Sequence, residues 1–159
     1  MMSESPKKPT ACESAGPDAE GDHADLIRQR LALRVVTLPR DTNQYGTIFG
    51  GVILSYIDQA GFVEACRHGA HRWVTVAMDR VEFIAPVHMG DIVSFCTRTT
   101  RLGTKSVTVA VDVEAVRYET EESVRVTTAT LTMVAVNAQG EPIPFRSPPT
   151  VRQTSGDFS

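Results

Sequence analysis

The sequence predicts an α+β fold in which one long helix lies against a single antiparallel sheet. Three observations predict it. Apolar residues from Gly51 to about His68 recur at helical spacing. From Trp73 to Val136 the pattern changes to the alternation of strands. No second helical stretch follows, so one helix must cover one large sheet.

The chain has 159 residues, which suits one domain. Residues 1–26 mix Ser, Pro, Glu, Lys, Gly and Asp with almost no large apolar side chain, and are expected to form a disordered tail. Residues 148–159, opening with Pro148-Pro149, are expected to do the same. The folded domain is therefore expected over residues 27–147.

Within it, Leu31, Leu33 and Val35 alternate with Ala32 and Arg34 as in a half-buried strand, which ends at Pro39. The loop Asp41-Thr42-Asn43-Gln44-Tyr45-Gly46-Thr47-Ile48-Phe49-Gly50-Gly51 is built from turn-forming residues. In the helix that follows, Ile53, Leu54, Ile57, Ala60, Gly61 and Ala65 share one face. The small Ala60 and Gly61 predict close packing, and Gly69 predicts the stop. Trp73–Met78 and Val81–Ile84 read as one long strand that Pro86 breaks. Ile92–Thr100, Ser106–Val116 and Val124–Val136 read as three more, with turns at Met89-Gly90-Asp91, Leu102-Gly103-Thr104 and Glu119–Glu122. A sheet of this size with one covering helix leaves edges to hide, and a dimer that extends the sheet would hide them.

Composition excludes several function classes. Net charge is −3 with no basic block, which argues against a nucleic-acid partner. No apolar run approaches the ~20 residues of a membrane-spanning helix, and the N-terminus lacks the apolar core of a secretory signal. Cys12, Cys66 and Cys96 form no CxxC pair, so reduced thiols in a cytoplasmic protein are expected, with Cys66 and Cys96 as core filler. No metal-ligand spacing, phosphate loop or nucleophile elbow is present.

Asp58 is the residue that asks for a reason. On the helical wheel it falls about 140° from Ile53, at the edge of the apolar face. A carboxylate there is partly desolvated, which is costly unless something hydrogen-bonds it. From the helix alone, the plainer reading is a boundary residue that faces solvent or an arginine. The double glycine shifts the balance. Gly50 and Gly51 open the helix, where N–H groups are free and the dipole is positive, and they let a carbonyl approach closely. They are a candidate oxyanion hole, against the plain reading of a tight loop. Gly51 and Asp58 are separated by about 10 Å along one helix. Two antiparallel copies of the helix could bring the glycine of one to the aspartate of the other. Glu64 falls about 20° from Ile53, in the middle of the apolar stripe; it is expected to meet an arginine or a polar group of the sheet, with a second carboxylate for acid–base work as the minor alternative. Arg101, Lys105 and Ser106 flank the Gly103 turn, either as a solvated hairpin end or as a phosphate contact.

Taken together, Asp41-Thr42-Asn43-x-x-Gly46-x-x-Phe49-Gly50-Gly51 and Ser55-x-x-Asp58-x-x-Gly61 resemble the hotdog-fold acyl-CoA thioesterases of the bacterial YciA type and the related cytosolic hydrolases. Val74-Thr75-Val76, Phe83-Ile84-x-Pro86-Val87-x-x-Gly90-Asp91 and Gly103-Thr104-x-Ser106-Val107 extend the resemblance over about residues 30–140. The resemblance implies a single hotdog domain, a central helix wrapped by a sheet of about five strands. It implies hydrolysis of acyl-CoA to a free acid and CoA without a cofactor or metal. Asp58 would be the catalytic acid, as base or nucleophile. Gly50, with Gly51, would polarise the carbonyl, and Asn43 would add a polar contact. Arg101, Lys105 and Ser106 would lie on the CoA side. Thr47 and Phe49 stand where some relatives carry other residues. A homodimer, assembled into a hexamer, is implied. Two alternatives on the same fold are an acyl-thioester hydratase, which wants a histidine beside the acid, and a non-catalytic acyl-CoA sensor, which needs no acid.

Overall fold

The computed structural model describes Cys12 and residues 28–151. The elements run β1 (Arg30–Val36), a 3-10 turn (Pro39–Asp41), α1 (Gly50–Cys66), β2 (Arg72–Met78), β3 (Ile92–Leu102), β4 (Ser106–Val116) and β5 (Ser123–Val136). The strands form one antiparallel sheet in the order β1-β3-β4-β5-β2, so β1 and β2 are its edges.

The helix packs on all five strands, as its apolar spacing predicts. Ile53, Ile57, Ala60, Gly61, Glu64 and Ala65 are its buried residues. The sheet answers with the period-two row Val107, Val109, Val111, Val113 and Ala115 of β4, each fully buried, while Thr108, Asp112 and Glu114 turn away. Phe95, Val93, Leu131 and Met133 complete the core. A Cβ on Gly61 would sit 3.1 Å from Leu131 Cδ2, so the glycine sets how closely α1 approaches β5.

The long strand expected from Trp73 to Ile84 ends at Met78. The chain continues beside β5, with the Asp79 N–H on the Thr130 carbonyl and the Ile84 N–H on the Val126 carbonyl, both at 2.9 Å. Between them the ladder is broken. The Thr127 hydroxyl, rather than a backbone N–H, serves the Glu82 carbonyl at 2.7 Å. Beyond this break, Phe83 to Val87 run beside Gly50 and Ile53 at the start of α1.

Two expectations for the cysteines change. Cys96, fully buried in β3, is joined to Cys12 in a disulfide with Cα atoms 5.8 Å apart, rather than being a reduced thiol. Cys66 is exposed rather than in the core. It falls about 220° from Ile53 on the helical wheel, the far side of the apolar stripe. Partial burial still pushes the Cys66 thiol pKa up, which works against a thiolate nucleophile.

Apart from Cys12, the N-terminal tail expected over residues 1–26 lies outside the described residues, as do residues 152–159. Pro148 to Val151, counted with the C-terminal tail, are held to the domain. The Thr150 and Val151 N–H groups donate to the Ala70 carbonyl, at 3.1 and 3.2 Å. His71 is buried beneath them. Its Nε2 donates to the Phe145 carbonyl at 2.7 Å, and its Nδ1 takes the Thr150 hydroxyl at 3.1 Å. Gly69 permits this approach, because a Cβ there would meet the His71 ring at 2.8 Å.

Candidate active site

Asp58 projects from the exposed margin of α1 beside the edge strand β2. The Thr75 hydroxyl donates to its Oδ1 at 2.5 Å. Thr75 reaches the carboxylate because Trp73 and Thr75 lie opposite the buried Ala135 and Met133 of β5, on the face of β2 that turns toward the helix; a bulge between Thr75 and Ala77 then passes that face to Met78, opposite Leu131. The same hydroxyl touches Met133 Sδ at 3.1 Å, an acceptor much weaker than a carboxylate. Asp58 opens into a cleft of about 480 Å³ with Gln59, Phe62, Trp73, Val74, Thr75 and Met133. The Trp73 indole is fixed by its Nε1 donating to the Gly69 carbonyl at 3.0 Å. The Phe145 ring, with its centroid 5.9 Å away, packs against it.

Gly50 and Gly51 are the first two residues of α1. Their N–H groups have no intrahelical acceptor, and Phe49, at the cap position, offers no side-chain acceptor. Space beside Gly51 is open, with no atom within 4 Å of where a Cβ would lie. The loop before them is braced from within. Asn43 Oδ1 accepts the N–H groups of Tyr45 (2.9 Å) and Thr47 (3.2 Å), and Asn43 Nδ2 donates to Thr47 Oγ1 at 2.9 Å. Gly46 turns the chain with φ +81°. The Phe49 N–H returns to the Asp41 carbonyl at 3.0 Å and the Ile48 N–H to the Val87 carbonyl at 2.8 Å, which aims the first turn of α1.

Within one chain these groups do not meet. None of Asn43, Gly50 and Gly51 lines the Asp58 cleft. Gly50 opens instead into a second cavity, of about 330 Å³, with Ile48, Ile53 and Phe83 to Val87. The two cavities flank the same helix at different heights, consistent with the separation of about 10 Å along its axis.

Glu64 is a structural carboxylate. It is 2% exposed and accepts the hydroxyls of Thr97 and Thr99, both at 2.9 Å, with Arg67 Nε 3.4 Å away. This is the arginine-and-sheet environment expected for it. Because the Thr99 hydroxyl donates to Glu64, it accepts from His68 Nε2 at 2.8 Å. Desolvation lowers the His68 pKa, the Glu64 charge works against that, and Arg30, Arg67 and Arg146 add to the lowering. Among the described residues no histidine lines the Asp58 cleft and no cluster of metal ligands occurs.

Arg101 and Lys105 are exposed, and Ser106 half-buried, at the β3–β4 turn. The Ser106 carbonyl accepts the Gly103 N–H at 2.8 Å, which closes the turn. None of the three lines the Asp58 cleft or the Gly50 cavity. The residue that sequence reasoning passed over is Thr75. Its signal was a hydroxyl on the helix-facing side of an otherwise apolar strand, a position that demands a partner.

Comparison with known proteins identifies the family. The thioesterase superfamily profile matches residues 45–119. The acyl-CoA thioester hydrolase YciA of Escherichia coli is 35% identical over 115 residues, 70% of this chain and 87% of that protein. YkhA of Bacillus subtilis, described as an uncharacterized acyl-CoA thioester hydrolase, is 39% identical over 106 residues, 67% of this chain. That match spans 62% of the YkhA length, less than two thirds. Among solved structures, Cj0915, a hexameric hotdog fold thioesterase of Campylobacter jejuni, superposes with a TM-score of 0.69 at 40% identity, covering 72% of this chain and 89% of that one. The resemblance read from the loop, the helix and the strand blocks holds: the chain belongs to the acyl-CoA thioester hydrolases of the hotdog-fold thioesterase superfamily.

Proposed function

We propose that the protein hydrolyses acyl-CoA thioesters to a free acid and CoA, at a site shared between two subunits. The observation that carries this is the pairing of Asp58 with Thr75 in a solvent-open cleft, on a helix whose N-terminus presents the unpartnered amides of Gly50 and Gly51. Asp58 is the general base. With Oδ1 held by Thr75, the carboxylate takes a proton from water, and the water oxygen adds to the thioester carbon. The Gly50 amide, with Gly51, stabilises the charge that develops on the carbonyl oxygen. The C–S bond then breaks and the CoA sulfur leaves with the proton. Asn43 contributes by shaping the loop that aims those amides, since its own amide group is engaged inside the loop.

The reach between Gly50 and Asp58 is supplied by a second copy. β2 is an edge strand whose Val74 and Val76 are 41% and 57% exposed. Pairing β2 with its copy continues the sheet, hides both valines and sets the two helices antiparallel. The C. jejuni relative is hexameric, which supports a hexamer here, built from such dimers. The CoA moiety lies outside both cavities, with Arg101, Lys105 and Ser106 as its phosphate contacts. Water and CoA suffice as co-reactant and leaving group, so no cofactor or metal is needed. Acyl-CoA is made and used inside cells, which supports a cytoplasmic location.

A hydratase would want a histidine in the Asp58 cleft, and a sensor would have no use for the Asp58–Thr75 pair. The test is thiol release from a panel of acyl-CoAs, with wild type beside Asp58→Asn. Release by wild type, cut by orders of magnitude in the variant, is expected. No release at any chain length, or a variant equal to wild type, would overturn the reading. Single-turnover hydrolysis in ¹⁸O-water checks the role of Asp58: label confined to the product acid supports the base, and label in Asp58 identifies a nucleophile.

A further inference from the structure

We infer that the cavity beside Gly50 is the acyl-chain subsite, that it takes uncharged hydrocarbon chains, and that Phe83 sets how long a chain it accepts. This rests on the proposed hydrolysis only in naming the thioester as ligand. Ile48, Ile53 and Val87 form a floor with exposures of 6%, 1% and 3%, while Phe83 and Ile84 form an open rim at 44% and 64%. Ala85 and Pro86 complete the wall, and no side chain in the lining is polar. Exposed aromatic and aliphatic rims over a dry floor mark a binding site more often than a packing fault.

The wall and the candidate oxyanion amide are parts of one arrangement. A Cβ on Gly50 would stand 3.3 Å from Phe83 Cε2 and 3.4 Å from its Cζ. A side chain at residue 50 would push the ring back by a few tenths of an ångström. The ring also follows the break in the β ladder at Glu82, whose carbonyl is served by the Thr127 hydroxyl. A carbonyl oxygen bound at the Gly50 amide therefore puts its carbon at the mouth of this cavity.

That carbon carries two substituents, the acyl chain and the sulfur of the pantetheine arm. The arm contains amides, which lose hydrogen bonds in a slot without polar side chains. A hydrocarbon chain loses none and binds about fourfold tighter for each methylene buried. The Asp58 cleft, with Gln59 and Thr75 in its wall, suits water and the polar arm. An acyl group ending in a carboxylate would bury an unpaired charge among Ile48, Ile53 and Val87, so dicarboxylic acyl-CoAs are rejected.

The experiment uses S-alkyl-CoA thioethers of two to twelve carbons, which cannot be hydrolysed, with affinity read by calorimetry. The same chain lengths, and succinyl-CoA, are assayed as acyl-CoAs for thiol release. Wild type is expected to gain about fourfold per methylene up to a plateau. Phe83→Ala is expected to move that plateau to chains at least two carbons longer, and Ile84→Ser to flatten the slope. Succinyl-CoA is expected to be turned over far less well than butyryl-CoA. The subsite fails if affinity is independent of chain length. It fails equally if Phe83→Ala keeps the wild-type profile while Phe62→Ala shifts it, which would put the chain in the Asp58 cleft. Chain-dependent binding without thiol release would sink the hydrolase reading and leave the subsite standing. Hydrolysis with an unmoved profile would do the reverse.

Discussion

The Thr75 hydroxyl reaches across from the edge strand to hold Asp58 Oδ1 at 2.5 Å. It is the direct tie between the helix acid and the sheet in this cleft. A hydrogen bond to a charged group is worth about 1.5–3 kcal/mol, so Thr75→Val should lower kcat by about tenfold to a hundredfold at little change in KM. Thr75→Ser should keep most of the rate. Steady-state kinetics on one acyl-CoA, with melting curves to show that both variants fold, checks this.

A shared site makes a sharper demand. Asp58→Asn and Gly51→Val should each be inactive alone, the second because a side chain in that open space blocks the carbonyl. Mixed after co-expression, they should recover activity, since some dimers then contain one site with both intact halves. Thiol release from the mixture against each parent decides it; no recovery would put the whole site in one chain.

The edge strand should control both assembly and rate. Val76→Lys places a charge on the exposed edge of β2, a substitution that blocks strand pairing. Light scattering should show monomer, and thiol release should fall in step with the loss of dimer. A fully active monomer would contradict the arrangement.

Glu64 should matter to stability rather than to chemistry. Glu64→Ala leaves the buried hydroxyls of Thr97 and Thr99 without their acceptor. Such orphaned groups cost about 1–3 kcal/mol each. Denaturant melts should show the loss, while kcat of the folded fraction stays near wild type.

His68 gives that region its pH dependence. Its pKa is lowered in the folded protein, chiefly by desolvation. In the unfolded chain it titrates near the ordinary value of about 6.5. The unfolded state therefore binds the proton first as pH falls, so this contribution is present above about pH 6.5 and is lost below it. Melting temperature measured from pH 8 to 5 should decline over that range, and His68→Gln should flatten the decline.

Much of this was legible in the chain. The helix was readable because Ile53, Ile57, Ala60 and Gly61 must face one way, and β4 because its valines alternate without interruption. Glu64 was readable as a carboxylate needing a partner, though not which two threonines would serve it. The end of β2 was not readable. Val81 to Ile84 has strand composition, and what breaks the ladder is a side-chain hydroxyl from Thr127, far along the sequence. Thr75 looked like an ordinary β-branched strand residue until the helix stood opposite it. The Cys12–Cys96 bond depends on the path of the N-terminal segment, which no local pattern encodes. Cys66 was misjudged although its angle on the helix placed it outside the apolar stripe.

The clasp that seats Phe145 against Trp73 has a consequence for biosynthesis. Trp73 is a wall of the Asp58 cleft, and its ring is backed by a residue near the other end of the domain. The segment that seats Phe145 is tied down by His71, Ala70 and Thr150. A nascent chain on the ribosome can form α1 and the first strands early, but it cannot finish this wall until residues as far as Val151 have emerged from the exit tunnel. The Asp58 cleft is thus among the last parts of the domain to mature.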